Sequence, residues 1–557
     1  MKKFNKIRNI IITTIALAVS MVSCSKQLDI NDDPNNPISL SSSVLLPRVQ
    51  LSVGSSLAMG SGFSTNLSAY MHQMVHYGNA NEYGAGAGDG NWNNGWTFAY
   101  RNVITNANII IKQDTEAGNL RYVGIAKIMK AYMFSVLVDL FGDVPFSEAN
   151  QLVEGIKYPK YDKDSEIYPQ LFAMLDEAIA DLQNTDAANL LKPAADDVIY
   201  KGDVASWVRA AKSIKFKLLV QQRKVKNVAS EVNALITENG MINTTAQSFN
   251  IPYGPNGATD DRNPGYGEYF ASQRTMHVSP WMYEIMKGYN TNILNGITDP
   301  RIPYYIYNQY TTTTAPNTDL EYRDGGFVSK YFGSRGPNGA KNSQNFVSLF
   351  GIYPVGGRYD DGKGGTATAA SGTGAAPYRL ITNADILFLK AELIQAGVIT
   401  GDATATLKSA IEESFKLVDQ VVAGSSTTQT VPKLVGSAGA TEYVTKVMAQ
   451  FASASSAKKL EHIMTQKWLS TIGSWVDQYT DYRRTGYPVL FDPNTVPGKI
   501  MTPPAGGNGG EDMPAVPVVL DRKFPNSLPY ILDELSLNSN APAQKADLST
   551  AKVFWMP

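Results

Sequence analysis

The chain has 557 residues, 49 basic and 50 acidic, with a formal net charge of −1. A balanced charge excludes a general nucleic-acid binder, which needs a basic surface to release counterions. A single Cys excludes a disulfide framework and thiolate metal clusters, while 43% hydrophobic residues exclude wholesale disorder.

Lys2, Lys3, Lys6 and Arg8 precede an apolar stretch at 10–22 and no acid lies among them. That stretch is shorter than the roughly 20 residues that span a bilayer. The pattern is that of a secretory signal peptide, residues 1–23. Small and apolar residues then lead directly into Cys24, an arrangement that resembles the lipobox of bacterial lipoproteins. On that resemblance Cys24 becomes the acylated first residue of the mature chain, anchored in the outer membrane by more than one acyl chain. Residues 24–43, rich in Asn, Pro, Ser and Asp, read as a flexible tether. Loss of residues 1–23 removes four basic side chains and leaves a net charge of −5.

From residue 44 a length prior of about 150 residues per domain gives three or four domains, unless repeats break it. Apolar residues at three- and four-residue spacing predict helices at about 98–112, 120–141, 167–182 and 203–222, the last capped by Asp203. A second helical block starts near Thr382 and ends in one long pattern over about 457–482. Between them, residues 250–380 are rich in Pro, Gly, Asn and Tyr, with one short strand expected at 304–310. Helix pairs of about 34 residues suggest tetratricopeptide-like stacking.

Five further segments are informative together: LFGDVPFSEA at 140–149, SWVRAAKSIK at 206–215, RLITNADILFLKAE at 379–392, QKWL and DYRRTGYP at 466–469 and 481–488, and RKFP with NSN at 522–525 and 538–540. In this order they resemble the signatures of the SusD/RagB family of outer-membrane nutrient-binding lipoproteins of Bacteroidota. The resemblance implies a mainly α fold of tetratricopeptide-like helix pairs in a right-handed scaffold, covered by a loop-rich region with few short strands. It implies one domain over 44–557, with scaffold at about 97–240 and 382–484 and ligand loops at about 60–96 and 250–380. It further implies an outward-facing protein without catalytic activity or cofactor. Such a protein captures oligosaccharides or oligopeptides and passes them to a SusC-like TonB-dependent barrel. A surface hydrolase, or an adhesive lipoprotein, is the alternative. The signatures also have structural roles: Asn383 or Thr382 can cap a helix, and Arg483 and Arg484 can brace loops through carboxylates.

A sugar ring offers an apolar CH face and a hydroxyl rim, so a capture site wants aromatic platforms beside polar groups. The candidates are Tyr83, Trp92, Asn93, Asn94 and Trp96 in the first loop region, and Tyr266, Tyr269, Trp281 and Tyr289 in the second. Trp96 could equally open a core helix, and Trp92 and Tyr83 could equally be buried. Three other features carry less. The glycine-rich run at 84–90 follows no predicted strand, as a dinucleotide loop would. His72 and His76 have i, i+4 spacing but lack the Glu of a zincin helix. Asp360 and Asp361 have no calcium-ligand ladder around them.

Overall fold

The computed structural model describes residues 40–60, 62–76, 92–271, 273–314, 318–341, 343–501, 515–520 and 522–557. Cys24, the signal peptide, most of the tether, Tyr83 and the glycine-rich run lie outside them. The helical scaffold begins with α1 (Ser42–Leu57) and α2 (Ser64–Tyr70). A helical run from Asn93, π-helical over Phe98–Ile104, leads into α3 (Thr105–Ala117). Then come α4 (Leu120–Phe141), α5 (Asp164–Gln183), α6 (Val204–Gln222) and α7 (Ala229–Glu238). Neighbours in sequence pack on one another, α3 on α4, α4 on α5 and α6 on α7. Helix α4 is nearly all buried, because other helices pack on it from several sides. Asp203 caps α6 by accepting from the Ser206 amide.

The loop-rich excursion carries α8 (Pro280–Lys287) and short strands before the scaffold resumes. The second block is α9 (Asn383–Gln395), α10 (Ala403–Gly424), α11 (Ala438–Ser453), α12 (Ser456–Ser470) and α13 (Trp475–Thr485). Thr382, rather than Asn383, is the N-cap of α9, in a capping box with Asp385. The pattern expected as one long helix over 457–482 is two, α12 and α13, broken around Gly473, which takes a positive φ of 96°. Apolar periodicity continues across that break because both helices bury the same side of the chain.

Strands among the described residues form five two-stranded antiparallel pairs. Strand β1 (Met74–His76) pairs with β3 (Met276–Val278), and β2 (Phe249–Ile251) with β8 (Tyr378–Ile381). Likewise β4 (Ile306–Tyr307) pairs with β7 (Leu349–Phe350), β5 (Tyr322–Asp324) with β6 (Phe327–Ser329), and β9 (Ile500–Met501) with β10 (Val516–Pro517). The strand expected at 304–310 is thus two residues long, preceded by a helical turn at Ile302–Tyr305.

The two helical blocks are joined by buried ions. Glu392 on α9 accepts both outer nitrogens of Arg484 on α13, with Nη2 to Oε2 at 2.7 Å, and accepts Arg223 Nε at 2.6 Å. Arg484 also donates to Asp481 at 2.8 Å, and Lys467 on α12 reaches the other oxygen of Asp481 at 2.5 Å. Burial alone would raise the Glu392 carboxyl, but the Arg484 and Arg223 guanidiniums hold it down at about 2, against an ordinary 4.5. A depressed carboxyl stabilises the fold above its ordinary value and loses that contribution as pH falls from 4.5 towards 2. Thermal melts should therefore drop steeply across that window. Glu392→Gln should cost about 3–5 kcal/mol at neutral pH, because buried Arg223 loses its countercharge and Arg484 keeps only Asp481, which it shares with Lys467. Unfolding by urea at pH 7 and at pH 3 measures both, and the gap between variant and wild type should shrink at pH 3.

Candidate functional site

The pairing of β1 with β3 brings the two loop regions singled out in the sequence side by side, Met74 opposite Val278 and His76 opposite Met276. Helix α8 follows β3 at once. Its limits are local: Ser279 accepts from the Trp281 amide, Pro280 opens the first turn, and Gly288 ends it in the left-handed conformation. Tyr289 comes next and is 44% exposed, with Tyr158 the most exposed aromatic ring among the described residues. Its hydroxyl donates to Asp324 Oδ2 at 3.0 Å, where the Tyr283 hydroxyl also donates at 2.7 Å. Lys287 Nζ lies 4.0 Å from the same oxygen and 5.7 Å from the centre of the Tyr289 ring. Partial burial and the hydrogen bond to Asp324 push the Tyr289 hydroxyl up to about 12. Asp324 closes the β5–β6 hairpin with Gly325 and Gly326, while Tyr283 stacks on Phe327 at 3.7 Å and holds the hairpin against α8. The result is a part-exposed aromatic ring with the Asp324 carboxylate bound at its hydroxyl and the Lys287 ammonium over its face.

Trp281, at the other end of α8, is half-buried. Its ring is 5.6 Å from Phe491 and its indole donates to the Val489 carbonyl at 3.2 Å. With Glu284, Tyr331, Phe332 and Met501 it encloses a small cavity. Tyr266 and Tyr269 stack on each other at 5.4 Å in a separate small core with Tyr307, Val347 and Leu349. The edge of Tyr266 faces a wide cleft.

The first region behaves differently. Trp92 is fully buried, edge-on to Tyr70 at 5.9 Å, and Trp96 is buried against Tyr100 and Phe141. Neither ring has a face open to a sugar, so both are core residues in this arrangement, contrary to the platform reading. The adjoining glycine-rich composition looked like an exposed loop, whereas the chain at Asn93 is already helical and turns both indoles inward. Asn93 donates to Asp533 at 3.2 Å, and Asn94 is exposed. Lys287 and Asp324 were missed by the sequence reading. The Asp-Gly-Gly turn at 324–326 was the available signal.

The weaker motifs resolve locally. His72 sits in a turn and His76 in β1, so they do not share a helix face. His72 is buried against Phe332 at 4.1 Å, and burial lowers its imidazole to about 3. Asp360 accepts from Asn308 and Gly362, and Asp361 pairs with Lys363 at 3.1 Å, as in an ordinary loop turn.

A SusD-like family model described as "Starch-binding associating with outer membrane" matches residues 34–503. The chain belongs to this family. Among solved structures, a SusD/RagB family protein from Bacteroides thetaiotaomicron is 22% identical with a TM-score of 0.64, covering 93% of this chain and 99% of its own. A chitin-binding SusD homolog from Flavobacterium johnsoniae is 20% identical with a TM-score of 0.64, covering 92% and 98%. These likenesses establish the fold. No curated protein matches the chain.

Two outcomes follow from the placement of these residues. Trp92→Ala should cost about 3–5 kcal/mol of stability, as deletion of a buried indole leaves a cavity. Calorimetry of the variant should show a much lower melting temperature, where a surface platform residue would leave it unchanged. Burial raises the Glu284 carboxyl to about 7, above its ordinary 4.5, with Tyr322 opposing and Asp324 adding to the rise. A raised carboxyl destabilises the fold as pH climbs from 4.5 through 7. Glu284→Gln should therefore raise the melting temperature at pH 8 more than at pH 5, and equal shifts would contradict this.

Proposed function

We propose that this SusD-like chain is a surface-exposed outer-membrane lipoprotein that captures oligosaccharides and delivers them to a SusC-like TonB-dependent barrel, without catalysing their breakdown. The observation that carries the binding role is the Tyr289 platform: a part-exposed ring in the second loop region whose hydroxyl is held by Asp324, with Lys287 over the ring. Sugar CH groups pack on such a face while the carboxylate and ammonium engage hydroxyls. The family description, starch-binding and associated with the outer membrane, supports a glycan over a peptide, as does the chitin-binding relative. Among the described residues no helix is long and apolar enough to cross a membrane. On this reading Cys24 supplies the anchor, residues 24–43 the tether, and residues 44–557 one domain. The barrel receives what the platform holds.

Tyr289→Ala should weaken binding of the best oligosaccharide from a glycan array about tenfold, or about 1.4 kcal/mol. Its melting temperature should stay near that of the wild type, since the ring is largely outside the core. Unchanged affinity in calorimetry would remove the platform from the site, and capture of peptides alone from a parallel array would replace the substrate class. Cys24→Ala should leave the protein uncleaved or release it from the membrane fraction. Unchanged size and fractionation would refute the lipid anchor.

A further inference from the structure

A second recess lies away from the platform, between α1 and the loops at 252–270, with a volume of about 790 Å³. That is within the roughly 300–1,000 Å³ of small-molecule sites. Pro252, Tyr253 and Phe270 give it apolar walls, and Lys201, Asp261 and Arg262 stand at its rim. Arg262 is fixed on three sides. Its Nε and Nη2 donate to Asp260 Oδ1 at 3.1 and 2.9 Å, and its guanidinium carbon lies 5.3 Å from the Phe270 ring centre and 5.7 Å from that of Tyr266. Asp261 is fixed too, since its Oδ1 accepts the Asn256 amide at 2.7 Å.

The backbone makes room for these groups at two glycines. A Cβ on Gly54 of α1 would stand 2.2 Å from the Tyr253 hydroxyl oxygen, and one on Gly374 would stand 2.6 Å from Arg262 Cβ. Without these glycines the Tyr253 hydroxyl and the stem of Arg262 would have to shift.

We propose that this cleft is a second saccharide site, independent of the Tyr289 platform; the saccharide class rests on the function proposed above. The chemistry of the rim selects the ligand. Two cations, Lys201 and Arg262, face two anions, Asp260 and Asp261, so a strongly charged ligand meets repulsion as well as attraction. A neutral sugar chain matches all four, because each hydroxyl both donates and accepts, and its CH faces suit Tyr253 and Phe270. Two separated sites on one chain raise the residence of a long polymer through effective concentration.

Maltohexaose and chitohexaose titrated calorimetrically into the full mature chain in detergent test this. The expected result is two sites per chain for at least one of them. Arg262→Ala and Phe270→Ala should each weaken one site at least tenfold and leave the other intact, while Tyr289→Ala does the converse. Lys201→Gln, at an exposed position, serves as the milder variant should either cleft variant unfold, and should weaken the cleft site severalfold. One site per chain, abolished by Tyr289→Ala and untouched by the cleft variants, overturns the cleft and leaves the platform standing. One site lost with the cleft variants alone retains the cleft and overturns the platform. No binding of either sugar by the wild type overturns both.

Discussion

The scaffold depends on a buried charge cluster that stands at the meeting point of four segments. Glu392 and Arg484 are wholly inaccessible, and Arg223, Asp481 and Lys467 nearly so. Removing such ions from water costs several kcal/mol each, and their attraction repays this only when geometry and hydrogen bonding are close to ideal. On the acid side the cluster is satisfied, with both carboxylate oxygens of Glu392 and both of Asp481 engaged, while Arg484 Nε and Arg223 Nη2 stay buried without a hydrogen bond. The consequence is specificity of assembly. Helices α9, α12 and α13 and the chain just after α6 can satisfy these charges together in one mutual placement, whereas apolar faces alone tolerate sliding.

Above this scaffold, long loops must dispose of backbone carbonyls that no ladder satisfies. Buried cations do much of this. Arg323 donates to the carbonyls of Gly325, Thr311 and Thr314, and Arg274 to those of Tyr269 and Ala367. Arg379 reaches Ile472, and Lys545 draws the C-terminal tail onto Phe141 and Leu528. Arg483 binds the carbonyls of Asn526 and Asp139 while lying 3.9 Å from the centre of the Tyr479 ring. Thus the signature arginines divide the labour: Arg484 neutralises acids between helices, and Arg483 fastens the closing segment to α4. Of the expectation that both brace loops through carboxylates, the carboxylates hold for Arg484, which ties two helices and not a loop, while Arg483 braces the closing loop through carbonyls.

What the sequence disclosed follows from the range of each interaction. Helix caps at Asp203 and Thr382 depend on neighbours within three residues and are legible directly. The 3.6-residue periodicity of α4, α6 and α9 reports burial averaged along a helix, so the scaffold was legible too. The break between α12 and α13 was not, because a turn that keeps the same residues inward leaves no gap in the apolar pattern. The sequence leaves the choice between platform and core at Trp92 and Trp96 open for a related reason: loop composition to one side says nothing about whether a ring meets Tyr70 or Phe141, both distant in sequence. Arg262 and Phe270 gave no signal because the cleft they line exists only once α1 and residues 198–201 stand opposite them.

The excess of tyrosine has the same origin as the buried cations. Tyr combines a ring that fills loop interiors with a hydroxyl donor that a Phe lacks. Tyr100 donates to the Pro145 carbonyl, Tyr304 to Pro432, Tyr479 to Pro525, Tyr307 to Gly364 and Gly365, and Tyr266 to Ala369. Four of these six acceptors belong to Pro or Ala in irregular backbone and the other two to Gly, where strand or helix partners are missing. These five tyrosines are explained by the ordered loops they fasten, and need no ligand to account for them. That sharpens the case for the few rings left over. Tyr289 spends its hydroxyl on a side chain rather than on a loop carbonyl and is the most exposed Tyr among the described residues. A part-exposed ring held by Asp324 is the geometry that the proposed platform role requires.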